Sequence, residues 1–233
     1  MVPALDFADL MAHRWSCRAF RPDEVPVQVL SRIFAVAQRT ASWCNSQAWG
    51  VHLLRGCDVQ AFSTTLLENV FGSDGSERPA PDFPLPVYDD VSRLRRRQVG
   101  LELYRSVGVN ERDERARHEF RRRSFTAFDA PTLAIITAAT NLGTFGAVDT
   151  GAYLANIMNA ALDEGIASIA IGAFGVHGAT VRKILKIGDE RAVICGVAMG
   201  YARLDHPANS FRSSRAPVPI AVTEVSLDST PGA

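Results

Sequence analysis

The chain has 233 residues, of which 47% are hydrophobic and 21% are charged, and these numbers predict one domain, residues 1–233, with one substantial core. Basic and acidic side chains balance at 25 each, which excludes a general electrostatic attraction for nucleic acid or for an anionic membrane. No stretch approaches the ~18 consecutive apolar residues that a membrane span needs.

The first third of the chain predicts three helices and one strand. After a short amphipathic helix at the N-terminus, Pro26 opens a helix with an apolar stripe, and residues 50–54 predict a strand. A third helix is predicted to begin at Asp58, as its N-cap, and to end at Gly72. Residues 72–90 hold too many prolines and glycines for regular structure, and they predict a long loop that either overhangs a pocket or is a surface excursion.

The next segment, residues 90–128, predicts two helices, the second capped by Asn110. Eleven arginines and five acids lie between positions 91 and 123, a run that also occurs in nucleic-acid-binding proteins. Apolar residues and acids are interleaved with these arginines, so the pattern favours a solvated, partly salt-bridged helix face. Attraction for a phosphorylated small molecule is compatible with either a nucleic-acid-binding surface or a solvated helix face.

The second half alternates strands and helices. Residues 131–139 are continuously apolar, which is typical of a strand buried on both faces. Residues 149–165 predict a fully buried helix with Asp149 as its cap, and its alanines suit either a helix-to-helix dimer contact or a tight core. The remaining predicted elements are strands at 168–174 and 192–202, a short helix between them, and an extended segment at 217–225 that departs from the domain.

The usual catalytic signatures are absent. There is no GxSxG, GxxxxGK[ST], HExxH or GxGxxG pattern, and the five histidines are scattered, so the sequence predicts no metal site. The four cysteines form neither CxxC pairs nor the regular spacing of a disulfide framework. This usage favours a reducing, cytoplasmic location.

Short polar stretches are the remaining candidates for a site. Arg14, Ser16 and Arg18 alternate along the chain, and extended backbone would place all three on one side as a clamp for a phosphate dianion. A purely structural role is the alternative, since arginines near a helix end are common. The polar stretch TASWCNSQAW and the isolated Arg215 are the other two candidates.

Six stretches together resemble one family: RWSCRAF, ASWCNSQAW, DTGAYLANIMNAALDEGI, IGAF, CGVAMGYA and SRAPV. In order and spacing they are similar to the FMN-dependent nitroreductases over about residues 7–217, and most closely to bacterial members that act on nitroaromatic compounds. The resemblance implies an α+β fold of three layers, α/β/α, around a mixed, mainly antiparallel sheet, with a C-terminal tail at 217–233. It also implies an intertwined homodimer that binds two FMN molecules at its interface.

The resemblance assigns residues to the phosphate end of FMN. Arg14, Trp15, Ser16 and Arg18 match the family's first motif, whose basic groups and hydroxyl bind the phosphate and the ribityl chain. Arg215 matches the C-terminal arginine that closes on the same phosphate. These assignments follow from the resemblance and add to the phosphate clamp that the alternation suggests.

Further matches concern the flavin ring. Ile171, Gly172 and Ala173 match the turn against the isoalloxazine ring, where a backbone N–H addresses N5, and Arg123 falls near a polar position that often contacts the pyrimidine edge. The segment that reaches the FMN of the other subunit is matched by Ala41, Ser42, Trp43 and Asn45.

Two stretches depart from the family pattern, residues 41–48 and the Gly172–Ala173 turn. Trp43 stands where relatives have a small residue, so it is predicted to influence the choice of acceptor. Ala48 replaces a proline, and Gly172 replaces a frequent glutamate, so that only the backbone contribution at N5 is transferable.

The implied activity is reduction of nitroaromatic or quinone-like acceptors by NADH or NADPH. The cycle is ping-pong, the chemistry takes place on FMN, and no catalytic acid or base of the protein is expected. The alternatives are another flavin reaction of the same fold, such as reductive dehalogenation or flavin-dependent dehydrogenation, and a non-catalytic flavin-binding module.

Overall fold

The computed structural model describes residues 6–71 and 77–226. The helices are α1 (Phe7–His13), α2 (Val27–Ala37), α3 (Cys57–Val70), α4 (Asp90–Ser106), α5 (Glu114–Arg122), α6 (Gly143–Asp163), α7 (Ala173–Val176) and α8 (Gly178–Leu185). The strands are β1 (Trp49–Arg55), β2 (Thr132–Ala139), β3 (Ala167–Ile171) and β4 (Arg191–Gly200). Within the described ranges, none of the helices has the length and apolarity that crossing a membrane requires.

The four strands form one sheet in the order β1-β2-β4-β3, and each neighbouring pair is antiparallel. β2 is an inner strand and its residues 132–138, which include Thr132 and Thr137, are buried, so the predicted burial on both faces is confirmed. Leu133 and Ile135 face one core cluster, and Ala134 and Ile136 face the other, each with no exposed surface. The prediction of a mainly antiparallel sheet is confirmed.

Helices cover both faces of this sheet. On one side α3 and α8 contribute Phe62 and Val181 to a core cluster, and on the other side α2 and α6 contribute Ile33 and Ile157. The two clusters make the three layers that the α+β prediction requires. Gly196 in β4 is needed for the first cluster, because a Cβ there would overlap the Phe174 ring.

The segment that follows α1 runs along the edge of the sheet. Ser16 makes a parallel bridge to Ser168 of β3, and the Cys17 N–H donates to the Ser168 carbonyl over 3.1 Å. Phe20 then bridges to Ala202 in the antiparallel sense. These contacts fix an extended backbone over residues 14–20.

Three predicted helix caps are wrong, and the first two concern α3 and α5. α3 begins one residue before Asp58, with Gly56 at the N-cap, so Asp58 lies in the first turn, where its charge still favours the helix dipole. α5 is capped by Asp113, whose carboxylate accepts from the Ala116 N–H over 2.9 Å. Asn110 instead accepts from an N–H two residues later, in a turn before the helix. The predicted terminator Gly72 lies outside the described residues.

The long helix α6 also differs from its prediction. It begins at Gly143, so Asp149 lies in its interior and not at its cap. The helix is not fully buried. Ala160 and Ala161 pack in the core, but Val148 and Ala152 lie on an exposed stripe.

The described part of the 72–90 loop is attached to the domain at its first half. The Asp82 carboxylate, 7% exposed, accepts from the Arg182 guanidinium and from the Val193 N–H at 2.8 Å. The residues that follow are largely exposed, and Val87 is 98% exposed.

The C-terminal segment leaves the body of the domain, as predicted, and its residues from 212 to 226 are exposed. The predicted extended conformation is wrong at Val218–Ile220, which form a short 3-10 helix after Pro217.

Candidate functional site

A groove of about 530 Å³ lies between residues 11–18 and residues 211–215. Arg14, Ser16 and Arg18 line one side of it, while the intervening Cys17 is fully buried. Arg215 lines the other side. The extended backbone thus brings together the alternate positions, and the fold adds an arginine that lies two hundred residues later in the chain.

The groove is strongly cationic. Burial and repulsion from Arg215 lower the pKa of Arg14, and burial lowers the pKa of Arg18. Within the described part of the chain, no carboxylate lines the groove. Like charges held together without a counter-charge are the electrostatic arrangement of an anion site.

Sequence reasoning missed two residues of this groove. Arg212 lies 4.3 Å over the Trp15 ring and lines the groove with it. Asn209 is buried behind the wall, where its Oδ1 accepts from the Arg18 N–H over 2.7 Å and its Nδ2 donates to the Ala19 carbonyl over 2.8 Å. Arg212 lies two residues before the SRAPV stretch, so its position could have been noticed. Asn209 is a single residue outside any repeating pattern, so the sequence gives no signal for it.

The turn between β3 and α7 borders a second cavity, which shares Arg18 with the groove. Ile171 is buried, whereas a Cβ on Gly172 would meet no atom within 4 Å, so the space above this residue is open. Ala173 lines this second cavity, of about 400 Å³, together with Arg18. Arg18 therefore belongs to both the groove and the cavity, and it connects the turn to the cationic cluster.

The segment with Ala41, Ser42, Trp43 and Asn45 lies elsewhere in the protomer, against α6. The buried Asp149 carboxylate accepts from the Trp43 N–H over 3.0 Å and holds the segment in place. The Trp43 indole, 58% exposed, contacts the Phe145 ring with centroids 4.7 Å apart. None of the four predicted residues lines the groove or the second cavity.

Residues 11–201 match the sequence profile of the nitroreductase family, which is most of the chain. The chain belongs to the nitroreductase family. Nitroreductase NfnB of Mycolicibacterium smegmatis is 30% identical over 220 residues, which cover 92% of both chains. The 4-nitrobenzoate reductase of a Nocardioides species is 29% identical over 95% of this chain and 91% of the relative.

Solved structures agree with this membership. The FMN-dependent nitroreductase NfnB from Mycobacterium smegmatis, solved in complex with NADPH, superposes with a TM-score of 0.86 at 28% identity, covering 93% of this chain and 96% of the other. The FMN- and NADPH-dependent nitroreductase NfnB from sphigopyxis sp. strain HMH gives 0.87 at 28% identity over 95% and 100%. The nitroreductase fold of the chain is therefore confirmed.

Arg123 lies apart from the other predicted cofactor residues of this family member. Its guanidinium is 3.6 Å from the Asp129 carboxylate and 5.9 Å from the centre of the Phe128 ring. It lines neither the groove nor the second cavity. A role at the pyrimidine edge of a flavin stays a prediction.

Proposed function

We propose that the chain is an FMN-dependent oxidoreductase that uses NADH or NADPH to reduce nitroaromatic or quinone-like acceptors. The observation that carries the proposal is the cationic groove, in which Arg14, Ser16, Arg18 and Arg215 converge in a member of the nitroreductase family. The names of the relatives support the same activity, because they include 4-nitrobenzoate reductases and FMN- and NADPH-dependent enzymes.

The groove fits the phosphate end of FMN. Its volume lies within the roughly 300–1,000 Å³ of ordinary ligand pockets. The pKa of Arg14 is depressed by burial and by Arg215, and a phosphate dianion would relieve that repulsion through charge-assisted hydrogen bonds. Arg14, Ser16, Arg18 and Arg215 would hold this end of the cofactor, and Trp15 would cover it.

The turn at Ile171–Ala173 fits the flat end of the cofactor. The open space above Gly172 admits a planar ring against the backbone, which a larger side chain would prevent. When bound, FMN supplies the hydride-accepting and two-electron-donating chemistry, and each reduction of a nitro to a nitroso group consumes one NAD(P)H and one proton and releases water. The chain contributes orientation and positive charge, and we assign it no general acid or base.

The proposal includes a homodimer. The exposed stripe on α6, with Val148 and Ala152, offers small side chains on which a second helix can approach closely. The exposed C-terminal segment carries apolar side chains, among them Val218 and Val222, that a second copy would cover. In such a dimer Ala41, Ser42, Trp43 and Asn45 would reach the FMN of the partner, which accounts for their distance from the groove of their own protomer. Light scattering after gel filtration tests this part, and a monomer that still binds FMN would contradict it.

The experiment for the whole proposal begins with the purified protein. We expect bound FMN that is released on denaturation, bleaching by NADH or NADPH without oxygen, and reoxidation by nitroarenes. A colourless protein that does not take up added FMN would refute the proposal. If the protein binds FMN but no nitroarene or quinone supports steady NAD(P)H oxidation, the protein is a flavin-binding module without this activity.

The phosphate assignment is tested by two substitutions. Arg18→Ala and Arg215→Ala each remove a charge-assisted contact of about 1.5–3 kcal/mol, so FMN occupancy is expected to fall in both. Arg97→Ala is the matched control, because Arg97 is exposed and lines neither the groove nor the second cavity. Unchanged FMN occupancy in both groove variants would reject the assignment.

A further inference from the structure

Four aromatic side chains line the cavity next to Arg18. It is lined by residues of α4, α5 and α7 and of the segment that follows α5, and it is open to solvent. Tyr104 and Phe120 line it as an edge-to-face pair with centroids 5.8 Å apart, and the buried Phe125 and Phe128 line it as well. Such a lining favours a flat aromatic ligand, because ring faces and edges pack well against it.

Positive charge exceeds negative charge around the same cavity. Three arginines line it, Arg18, Arg96 and Arg121, against a single acidic residue, Glu77. The Glu77 carboxylate already has a partner, since its Oε1 lies 2.9 Å from Nε2 of His177.

Two of these cations lack a counter-ion. Among residues 6–71 and 77–226, neither Arg96 nor Arg121 forms an ion pair, and the guanidinium of Arg96 lies 5.1 Å from the centre of the Tyr88 ring. Other arginines of the same helices do have one, such as Arg93 with Asp90 at 3.0 Å. Exposed arginines such as Arg97 and Arg115 also lack an ion pair among the described residues, but within these helices only Arg96 and Arg121 line the cavity together with the aromatic rings.

We propose that this cavity is the acceptor subsite and that Arg96 and Arg121 make it selective for aromatic acceptors that carry a carboxylate, the nitrobenzoate class. A neutral nitroarene would use the aromatic rings alone, whereas a nitrobenzoate would also receive guanidinium–carboxylate hydrogen bonds. The inference rests on the proposed function, because Arg18 and Ala173 connect the cavity to the groove and to the turn assigned to FMN.

The test compares two pairs of ligands that differ in charge but not in shape. The substrates are 4-nitrobenzoate and 4-nitrobenzamide, and the unreactive probes are benzoate and benzamide, whose binding perturbs the absorbance of the FMN-loaded protein. The variant is Arg96→Gln with Arg121→Gln. The control is Arg97→Gln with Arg115→Gln, which removes the same charge from the same two helices at exposed positions outside the cavity.

Each exposed guanidinium is expected to contribute about 2- to 5-fold to binding of a carboxylate, so the double variant raises KM for 4-nitrobenzoate and Kd for benzoate by about 10-fold. The values for 4-nitrobenzamide and benzamide change less than about 2-fold, because packing on the rings is unaltered. The wild type prefers the acid to the amide, and the control variant keeps that preference.

Equal changes for the acid and the amide, or no change for either, would overturn the inference. So would a rise confined to KM for NADPH, which would assign the arginines to the phosphates of the donor. These results are distinct from failure of the proposed function, in which the wild type binds no FMN or reduces neither nitroarene.

Discussion

Asn209 is expected to hold the two sides of the cationic groove together. It is 3% exposed, and its side chain makes three hydrogen bonds: Oδ1 accepts from the Arg18 N–H at 2.7 Å, and Nδ2 donates to the carbonyls of Ala19 and Arg203, both at 2.8 Å. Asn209→Ala removes all three, each worth about 0.5–1.5 kcal/mol, and leaves polar backbone groups buried without partners. We expect the free energy of unfolding to fall by about 3 kcal/mol.

The substitution should also weaken cofactor binding, because Arg18 and the 203–215 segment lose their common support. Loss of one well-placed charge-assisted contact, about 1.5 kcal/mol, raises the Kd for FMN by about 10-fold. Urea unfolding of the cofactor-free protein at one fixed protein concentration measures stability, and quenching of FMN fluorescence measures Kd.

Leu66→Ala is the stability-matched control for this prediction. Leu66 is fully buried in the core and lines neither the groove nor the second cavity, and its truncation costs about 2–5 kcal/mol. The control should bind FMN as the wild type does. If Asn209→Ala loses stability but keeps the wild-type Kd, Asn209 serves folding alone and the positioning role is refuted.

Three further outcomes are expected. Gly172→Ala should leave the free energy of unfolding within about 0.5 kcal/mol of the wild type, because the added Cβ meets no atom within 4 Å. The same Cβ would occupy the space assigned to the flavin ring, so the Kd for FMN should rise. An unaltered Kd would place the flavin ring elsewhere. Asp82→Ala leaves the Val193 N–H without a partner and leaves Arg182 paired with the exposed Asp189 alone, so it should cost about 2 kcal/mol. It should also speed chymotrypsin cleavage after Tyr88, and unchanged cleavage would contradict this. Burial raises the pKa of Cys17 to about 11 and that of Cys195 to about 12, so only Cys44 and Cys57, which are exposed, should react with a disulfide reagent at pH 8. The stability that the buried neutral thiols contribute is complete below pH 9.0 and is lost as pH rises through 11 to 12. Urea unfolding that is no easier at pH 11 than at pH 8 would contradict this.

The core of the fold could be predicted from the sequence because periodicity encodes burial. Residues 132–138 are buried on both sides of the sheet, and their largely apolar run predicts such a strand. Helix ends were less predictable, since several polar residues near an end are chemically able to cap it. Asp113, and not Asn110, caps α5, because its carboxylate accepts a hydrogen bond from the Ala116 N–H. This bond depends on the conformation of the preceding turn, which the sequence alone does not show.

In the candidate site, residues close together in the sequence could be predicted, and contacts between distant residues could not. The alternation of Arg14, Ser16 and Arg18 is local, so the sequence could predict a common side for them. The contribution of Asn209 is a tertiary contact across 191 positions, for which one sequence holds no pattern. The start of α6 was missed because Gly143 and Gly146 weaken the local preference for a helix that its packing nevertheless favours.

The arginines of α4 and α5 have the same side chain but different surroundings in the fold. Arg93 and Arg117 are neutralised within a turn by Asp90 and Glu114, as the interleaved acids predicted. Arg96 and Arg121 have no such partner among the described residues, and they differ from exposed unpaired arginines of the same helices, such as Arg97, in that they line the second cavity. Because they line the second cavity and not the groove, their substitution would change the choice of acceptor without loosening the phosphate of FMN. Arg18 lines both, so its loss would affect cofactor and acceptor together, and this difference separates the two sites by experiment.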